Sequence, residues 1–269
     1  MLAAAPLLVL AGLSTGVLGT SYFLTDNIRG SQFLSAFTHQ AIPDPTHGRV
    51  NYVSQATALE RNLTYASGDT LILRADSTQV LDPFGPGRDS FRLQSNKVYN
   101  EHVAVWNIRH MPQGCGTTNG NDCYTNSSTF GCGVIAPRAT SFGPSFNAIG
   151  GGWYAMERSG TYIKIWHWQR DDTNLPMDIR IGSPLIDTSN WGTPVADFPD
   201  TDCNMATYFS PQRMIINLTF CGDLAGHNYP SDGCSGICEG EYIIGDYVNQ
   251  NPSAFEDAYF DIAWLKIYQ

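Results

Sequence analysis

The sequence predicts an all-β fold built as a sandwich of two antiparallel sheets. Short runs of β-branched and aromatic residues recur between turn signals, several of them alternate apolar and polar positions, and no stretch has a convincing helical period. Glycine (26 residues), proline (15) and aromatic residues (12%) are abundant, whereas only 15% of the residues are charged. This composition excludes a coiled coil and a disordered chain.

Six runs are predicted as strands because period-two alternation marks a sheet with one buried face. They are 51–54, 70–74, 90–95, 102–108, 162–168 and 259–268. Turn residues at 82–87 and in the run Gly150–Gly152 end strands, and 214–220 also resembles a strand. A single short helical turn is expected within 249–255. The chain has no linker or internal repeat, so residues 20–269 are predicted to form one domain.

Residues 1–19 are predicted to be a secretory signal peptide. The segment is almost wholly apolar, and the small or apolar residues before Thr20 suit a signal peptidase. A membrane anchor is the alternative, but the apolar stretch is shorter than the roughly 20 residues that a span needs, and no other segment is apolar enough to cross a bilayer. We therefore expect a secreted, extracellular protein that does not associate with membranes.

Charge and cysteine content limit the partners. The 25 acidic and 15 basic side chains give a formal net charge of −10, which argues against nucleic acid as a partner. Seven cysteines suit an oxidising compartment, although an odd number leaves one thiol without a partner in the chain. No histidine or cysteine set has metal-ligand spacing, so neither a catalytic metal nor a cofactor is predicted.

Three Asn-x-Ser/Thr sequons, at Asn62, Asn126 and Asn217, are compatible with secretion. Because Asn217 falls in a predicted strand, we expect it to be buried and unglycosylated. In the run 162–168, alternation places Trp166 and Trp168 on one face of a strand. Two indoles there could line a sugar-binding cleft, since indole rings stack on pyranose faces, or they could simply pack in the core.

Nine segments, spread in order over nearly all of 20–269, carry a recognisable pattern. They are Ser95–Lys97, Val103–Val105, Arg109–Thr117, Ser141–Asn147, Gly150–Arg158, Asn190–Pro194, Ile215–Asp223, Asn251–Phe255 and Ala258–Asp261. This pattern resembles glycoside hydrolase family 16, and most closely the fungal-type secreted laminarinases, which are endo-1,3(4)-β-glucanases. The resemblance implies a β-jelly-roll (concanavalin-like) sandwich with a cleft across its concave sheet, and β-1,3 or mixed-linkage β-glucans as substrates.

The family chemistry is retaining hydrolysis, in which one carboxylate attacks the anomeric carbon and a second, roughly 5–5.5 Å away, protonates the leaving oxygen. The resemblance implies that both come from one strand with the pattern Glu-x-Asp-x-x-Glu or Glu-x-Asp-x-Glu, placed after Gly116-Thr117. That pattern is absent, because the chain continues directly from Thr117 to Thr118, which resembles a segment well downstream of the catalytic strand. No catalytic residue is therefore predicted, and a strand or more of the family fold is expected to be missing. A cysteine missing with it would explain the odd count.

No other carboxylate pair is a convincing replacement. Glu239 and Glu241 would share a face of an extended chain, but they fall in an insertion relative to the family pattern and are expected to be an exposed loop pair. Glu157 is expected to form an ion pair at a strand end. Leu224 stands where the family commonly has a sugar-holding tryptophan, so a flat stacking surface is lost there.

The resemblance leaves some sugar contacts in place. Arg92 matches a substrate-binding arginine of the family, with a plain surface charge as the alternative. Asn51 and Tyr52 fall on a strand that reaches the cleft, with a structural role as the alternative. The predicted substrate-binding residues are thus Arg92, Asn51, Tyr52, Trp166 and Trp168.

Three hypotheses for the function remain. The chain is a secreted, monomeric family member that recognises β-1,3 or mixed-linkage glucan with absent or weak hydrolysis. Alternatively, the sequence lacks a segment that the natural transcript of an active retaining endo-glucanase contains. In the third hypothesis the shortened chain misfolds, because deleting strands exposes sheet edges.

Overall fold

The structure is a computed structural model that describes residues 21–113, 134–226, 229, 233–238 and 247–269 of the chain. Fourteen strands lie within these ranges. They are β1 (Ser21–Ile28), β2 (Phe37–His39), β3 (Val50–Tyr52), β4 (Thr64–Ser67), β5 (Thr70–Arg74), β6 (Arg88–Ser90), β7 (Arg92–Ser95), β8 (His102–His110), β9 (Gly152–Arg158), β10 (Tyr162–Gln169), β11 (Leu185–Asp187), β12 (Ala196–Pro199), β13 (Ile215–Asn217) and β14 (Tyr259–Tyr268). The helices in the same ranges are all short. They are α1 (Phe33–Ala36), α2 (Gln55–Glu60), α3 (Gly143–Ala148), α4 (Met177–Ile181), α5 (Met205–Tyr208) and α6 (Tyr247–Gln250).

The largest sheet is antiparallel and is centred on β14 and β8. Its strand order is β11-β1-β14-β8-β9-β10-β12, and β5 also pairs with β14 and carries β4 at its other edge. Gly151, just before β9, has a positive φ of 84°, and a Cβ atom on it would lie 2.1 Å from the carbonyl oxygen of Ile108. Only glycine fits this close approach between the strands.

A second antiparallel sheet of three strands, in the order β13-β7-β2, lies within the described residues. A further pair, β3 with β6, is parallel, whereas the sequence predicted only antiparallel sheets. The long connection between these two strands makes the parallel arrangement possible, since parallel neighbours need a crossover of a dozen or more residues.

The main core lies between the two antiparallel sheets. Alternate residues of the small sheet, such as Leu93 and Ile216, and of the large sheet, such as Leu265 and Ile267, meet in one buried cluster that includes Phe33. This arrangement confirms the predicted all-β sandwich, because each sheet buries one face against the other.

A second buried cluster lies on the opposite face of the large sheet. Val103 and Val105 of β8 belong to this second cluster, together with Ile179 of α4 and Trp191. Ala104, which lies between the two valines, points the other way into the main core. Segment 175–191 therefore covers the outer face of the large sheet and gives that sheet two buried faces.

Several predicted elements are confirmed. The strands predicted at 70–74 and 259–268 have the observed bounds, and the short helical turn expected within 249–255 is present as Pro252–Phe255, a 3-10 turn that follows α6. The run 90–95 is divided by buried Phe91 into the end of β6 and the strand β7, because these strands pair with different partners.

Within the described ranges, Cys221 forms a disulfide with Cys238, Cys234 is also disulfide-bonded, and Cys203 is free. The disulfide agrees with the cysteine usage noted in the sequence. The helices among the described residues are all too short or too polar to cross a bilayer. The predicted signal peptide at residues 1–19 lies outside the described residues.

We predict that acid destabilises the fold through two buried histidines. Burial lowers the pKa of His39 and of His167 from 6.5 to about 4. The unfolded chain therefore binds more protons between these values, so stability is full above pH 6.5 and is lost as the pH falls towards 4. At about 1.4 kcal/mol per pKa unit, the two groups together remove on the order of 7 kcal/mol.

Urea unfolding at pH 7.5, 6, 5 and 4.5 measures this loss. The double variant His39→Gln/His167→Gln is expected to flatten the dependence, and each single variant is expected to remove only part of it. A wild-type free energy of unfolding that is the same at pH 7.5 and 4.5 would contradict the assignment.

Candidate functional site

Polar side chains cover the face of the small sheet that points away from the core. Gln40, Arg92 and Asn217 lie side by side in one row across the three strands, and Gln94 lies in the next row. The intervening residue of β7, Leu93, is fully buried, so strand alternation alone sends the four polar side chains to the opposite face. We call Gln40, Arg92, Gln94 and Asn217 the polar sheet face.

Arg92 lies at the centre of the polar sheet face. Its Nε–H donates to Oε1 of Gln40 at 3.0 Å, and Nε2 of Gln40 donates in turn to Oε1 of Gln94 at 2.8 Å. Within the described residues the two terminal amino groups of Arg92 make no hydrogen bond. The guanidinium is therefore held by one edge and presents its remaining donors to a ligand.

A chain of hydrogen bonds fixes Asn217 beside Arg92. Nδ2 of Asn217 donates to the hydroxyl of Tyr52 at 2.9 Å, and that hydroxyl donates to Oδ1 of Asp44 at 3.2 Å. Burial raises the pKa of Tyr52, which keeps its proton available for this role. Oδ1 of Asn217 accepts no hydrogen bond in the described part of the chain, so it is presented as an acceptor next to the donors of Arg92.

Asp44 anchors this chain as an ionised carboxylate. Burial raises its pKa, but hydrogen bonds from Thr219, Thr46 and the backbone of Gly48 outweigh burial and lower it. Thr219 and Thr46 donate to Oδ2 at 2.6 and 2.7 Å, so this oxygen is fully engaged. The carboxylate therefore serves as a support and is not available for proton transfer to a substrate.

Asn51 and Tyr52, which the sequence analysis predicted to bind substrate, lie in different surroundings. The ring of Tyr52 is buried, and only its hydroxyl reaches the polar sheet face through Asn217. Asn51 is exposed, donates to Asp89 at 2.5 Å and lines a separate cavity of about 180 Å³. Successive residues of a strand point in opposite directions, so one strand cannot bring both side chains to one ligand.

The two tryptophans predicted to line a cleft lie in the core instead. Trp166 and Trp168 are 3% and 5% exposed on the outer face of the large sheet, and both pack edge-on against Trp191. Nε1 of Trp166 donates to the carbonyl oxygen of Gly192 at 3.1 Å. Trp166 and Trp168 share one face of β10, as predicted. That face is covered, so neither indole ring is open to a sugar, and the burial of both tryptophans favours the core-packing alternative.

The glutamates give no catalytic pair in the described part of the chain. Glu157 is buried on the outer face of the large sheet, where it accepts hydrogen bonds from the hydroxyls of Tyr22 at 2.8 Å and Tyr162 at 2.9 Å. The expected ion pair at this position is thus replaced by two neutral donors. Burial and the bond to Glu157 raise the pKa of Tyr22. Glu239 and Glu241 lie outside the described residues, and so does the side chain of Leu224.

The polar sheet face has the chemistry of a site for a neutral, hydroxyl-rich ligand. It offers a guanidinium and amide groups, which donate to and accept from hydroxyls, but its own residues include no carboxylate, hydroxyl or thiol that could act as acid, base or nucleophile. Within the described ranges, no three His, Cys, Asp or Glu side chains are grouped so that they could hold a metal ion.

Comparison with protein families gives one match over most of the chain. The model of the XgeA-like catalytic domain of glycoside hydrolase family 16 (GH16) matches residues 37–119 and 116–268. The two matched segments overlap at 116–119, beside the junction of Thr117 and Thr118 at which the catalytic pattern was expected.

Curated fungal relatives cover nearly all of the chain. It is 32% identical to a protein of Schizosaccharomyces pombe named as a probable glycosidase, over 93% of this chain and 70% of that protein. It is 33% identical to a probable endo-1,3(4)-beta-glucanase of Aspergillus clavatus, over 93% of this chain and 46% of that protein. The chain thus spans about half the length of the Aspergillus relative.

Solved structures of similar proteins have the same fold. The GH16 laminarinase 16A of Phanerochaete chrysosporium, solved with beta-glucans in its donor and acceptor sites, is 48% identical over 93% of this chain and 100% of that chain, with a TM-score of 0.85. An elongating GH16 beta-1,3-glucosyltransferase is 31% identical over 92% of this chain and 100% of that chain, with a TM-score of 0.77. The chain therefore belongs to glycoside hydrolase family 16 and has its jelly-roll fold.

Proposed function

We propose that this chain is a secreted, monomeric β-glucan-recognising member of the family that binds β-1,3 or mixed-linkage glucan and does not hydrolyse it. The observation that carries the proposal is the polar sheet face, where Arg92 and Asn217 present a donor edge and an acceptor side by side, neither of them bonded within the described part of the chain. Laminarinase 16A, a similar protein, holds β-glucans in both donor and acceptor sites. Hydrogen bonds to sugar hydroxyls need donors and acceptors of this kind.

The sequence supports the proposed lack of hydrolysis. None of the six glutamates, at 60, 101, 157, 239, 241 and 256, is followed two residues later by an aspartate, so the Glu-x-Asp pattern occurs nowhere in the chain. Retaining hydrolysis needs two carboxyl groups in fixed relation, one as nucleophile and one as acid and base. We therefore propose that a bound glucan is retained without being cut.

A second candidate function is favoured by one specific observation. The alignment with the Schizosaccharomyces pombe protein runs over 304 positions, more than the 269 residues of the whole chain, so that relative has residues with no counterpart here. The family match also divides at 116–119. These findings support a natural transcript with an additional segment between Thr117 and Thr118, encoding an active retaining endo-glucanase. Sequencing the transcript across this junction decides between the two candidates.

The proposed binding site predicts a loss of affinity in Arg92→Ala. A charged donor contributes about 1.5–3 kcal/mol to a hydrogen-bonded complex, so the affinity for laminarin is expected to fall roughly 10- to 100-fold. Arg92→Lys keeps the charge but loses the planar fork, and it is expected to recover only part of the affinity. Retardation in native gels with increasing laminarin measures the change.

The matched control for this experiment is Arg180→Ala. Arg180 is exposed, and its Nη2 donates to the carbonyl oxygen of Asp172. It lies in α4, which covers the outer face of the large sheet. Its variant is expected to be retarded like the wild type. If neither wild type nor variants are retarded at high laminarin concentration, the proposed glucan binding is wrong.

A further inference from the structure

Two sequons lie in the described part of the chain, and the structure places them in opposite surroundings. Asn62-Leu63-Thr64 follows α2, and Asn217-Leu218-Thr219 begins at the last residue of β13. The third sequon, at Asn126, lies outside the described residues.

Asn62 occupies an exposed turn between two fixed elements. It has a positive φ of 55°, in the left-handed region that asparagine tolerates better than most residues, and its backbone N–H donates to the carbonyl oxygen of Leu59 at 3.2 Å. Its side chain makes no hydrogen bond with the described residues, whereas the next residue, Leu63, is buried against Val53 and Ala58. The backbone is therefore anchored while the amide nitrogen is free, which is the condition that an attached glycan needs.

Asn217 is the reverse case, although it is partly exposed and not buried as expected. Its Nδ2, the atom that a glycan would modify, donates to the hydroxyl of Tyr52, and the hydroxyl of Thr219 donates to Asp44. A glycan on this nitrogen would break the hydrogen-bond chain and cover the polar sheet face beside Arg92. The folded chain is thus incompatible with modification at this sequon.

We propose that Asn62 is a site of N-linked glycosylation and that Asn217 is unmodified in the folded protein. The co-reactant is an oligosaccharide linked to a lipid diphosphate in the secretory pathway. Nδ2 of Asn62 forms a bond to the anomeric carbon of the first sugar and loses one proton, while the bond from that carbon to the diphosphate breaks and the lipid diphosphate leaves with the electron pair.

The disulfide between Cys221 and Cys238 supports the premise of this step, since disulfides form in the oxidising compartments of that pathway. The inference shares with the proposed function only the premise of secretion. Glucan binding can be measured on unglycosylated protein, so the two can fail separately.

The test expresses the full chain, with its own residues 1–19, in a eukaryotic secretory host. An Asn126→Gln background removes the sequon outside the described residues. Protein from the medium and from the membrane-enclosed fraction is analysed by gel mobility before and after peptide-N-glycosidase treatment, and by mass spectrometry of its peptides. One glycan, on the peptide with Asn62, is the expected result.

Three variants complete the design. Asn62→Gly suits the left-handed turn and removes the sequon, so it is expected to abolish the mobility shift. Thr64→Ser keeps the sequon and a hydroxyl for the contact with His39, and Asn217→Gln removes the other sequon; both are expected to keep the shift. An unmodified Asn62, a glycan on Asn217 in folded protein, or failure of the chain to enter the secretory pathway would each overturn the proposal.

Discussion

Insertion of the catalytic segment of laminarinase 16A between Thr117 and Thr118 is expected to turn this chain into a glucan hydrolase. The resemblance to the family implies that this segment supplies two carboxylates from one strand, roughly 5–5.5 Å apart, with the Glu-x-Asp pattern that occurs nowhere in the present sequence. The family fold and Arg92 on the polar sheet face are already present. Because enzymes accelerate their reactions by at least about a million-fold, release of reducing sugar from laminarin is expected to rise from background by a factor of that order.

The matched control is the same insertion with both glutamates changed to glutamine. It keeps the added strand, so it separates catalysis from any gain in folding, and it is expected to return the rate to background. An inserted chain that folds cooperatively and binds laminarin but remains inactive would contradict the view that the missing carboxylates alone limit the reaction.

Replacement of Arg88 by methionine is expected to cost about 3–5 kcal/mol of unfolding free energy. The side chain is 0% exposed. Its guanidinium donates to the carbonyl oxygen of Val248 through Nε at 2.9 Å and Nη2 at 2.6 Å, to Oδ2 of Asp76 at 2.9 Å and to the carbonyl oxygen of Gln79 at 3.0 Å. Methionine fills part of the volume but leaves these acceptors without their charged donor.

Urea unfolding at pH 7 measures this cost, with Arg61→Met as the matched control. Arg61 pairs with Asp89, but its side chain is 54% exposed, and an exposed ion pair contributes no more than about 1 kcal/mol. Equal destabilisation by the two substitutions would mean that the buried guanidinium does not hold β6 to the segment around Val248 as described.

The local pattern of apolar and polar residues was enough to predict the sandwich but not to predict every strand. The strongly patterned runs at 70–74 and 259–268 were predicted with their observed bounds. β9 was not predicted as a strand because burial along it does not alternate cleanly. Segment 175–191 covers one face of the large sheet and the main core covers the other, so residues on both faces of β9 are buried. The break at Phe91 depends on strand pairing, which no local pattern encodes.

The candidate site was predicted only in part for the same reason. Arg92 lies on the polar sheet face, while Asn51 lies in another cavity and Trp166 is buried. Alternation showed that Trp166 and Trp168 share a face, but which face is open depends on a covering segment distant in sequence. Asn217 was recognised as a sequon in a predicted strand but not as a site residue, since its place beside Arg92 requires the pairing of β13 with β7.

The most direct test of the account is to assay one purified sample for both binding and cutting of laminarin. Expression in a host without glucanases, with the Glu239→Gln/Glu241→Gln variant in parallel, excludes contamination and tests the remaining glutamate pair. The account predicts that wild type and variant are retarded equally in a laminarin gel and that neither releases reducing sugar above background. Sustained hydrolysis by the wild type that disappears in the variant would contradict it.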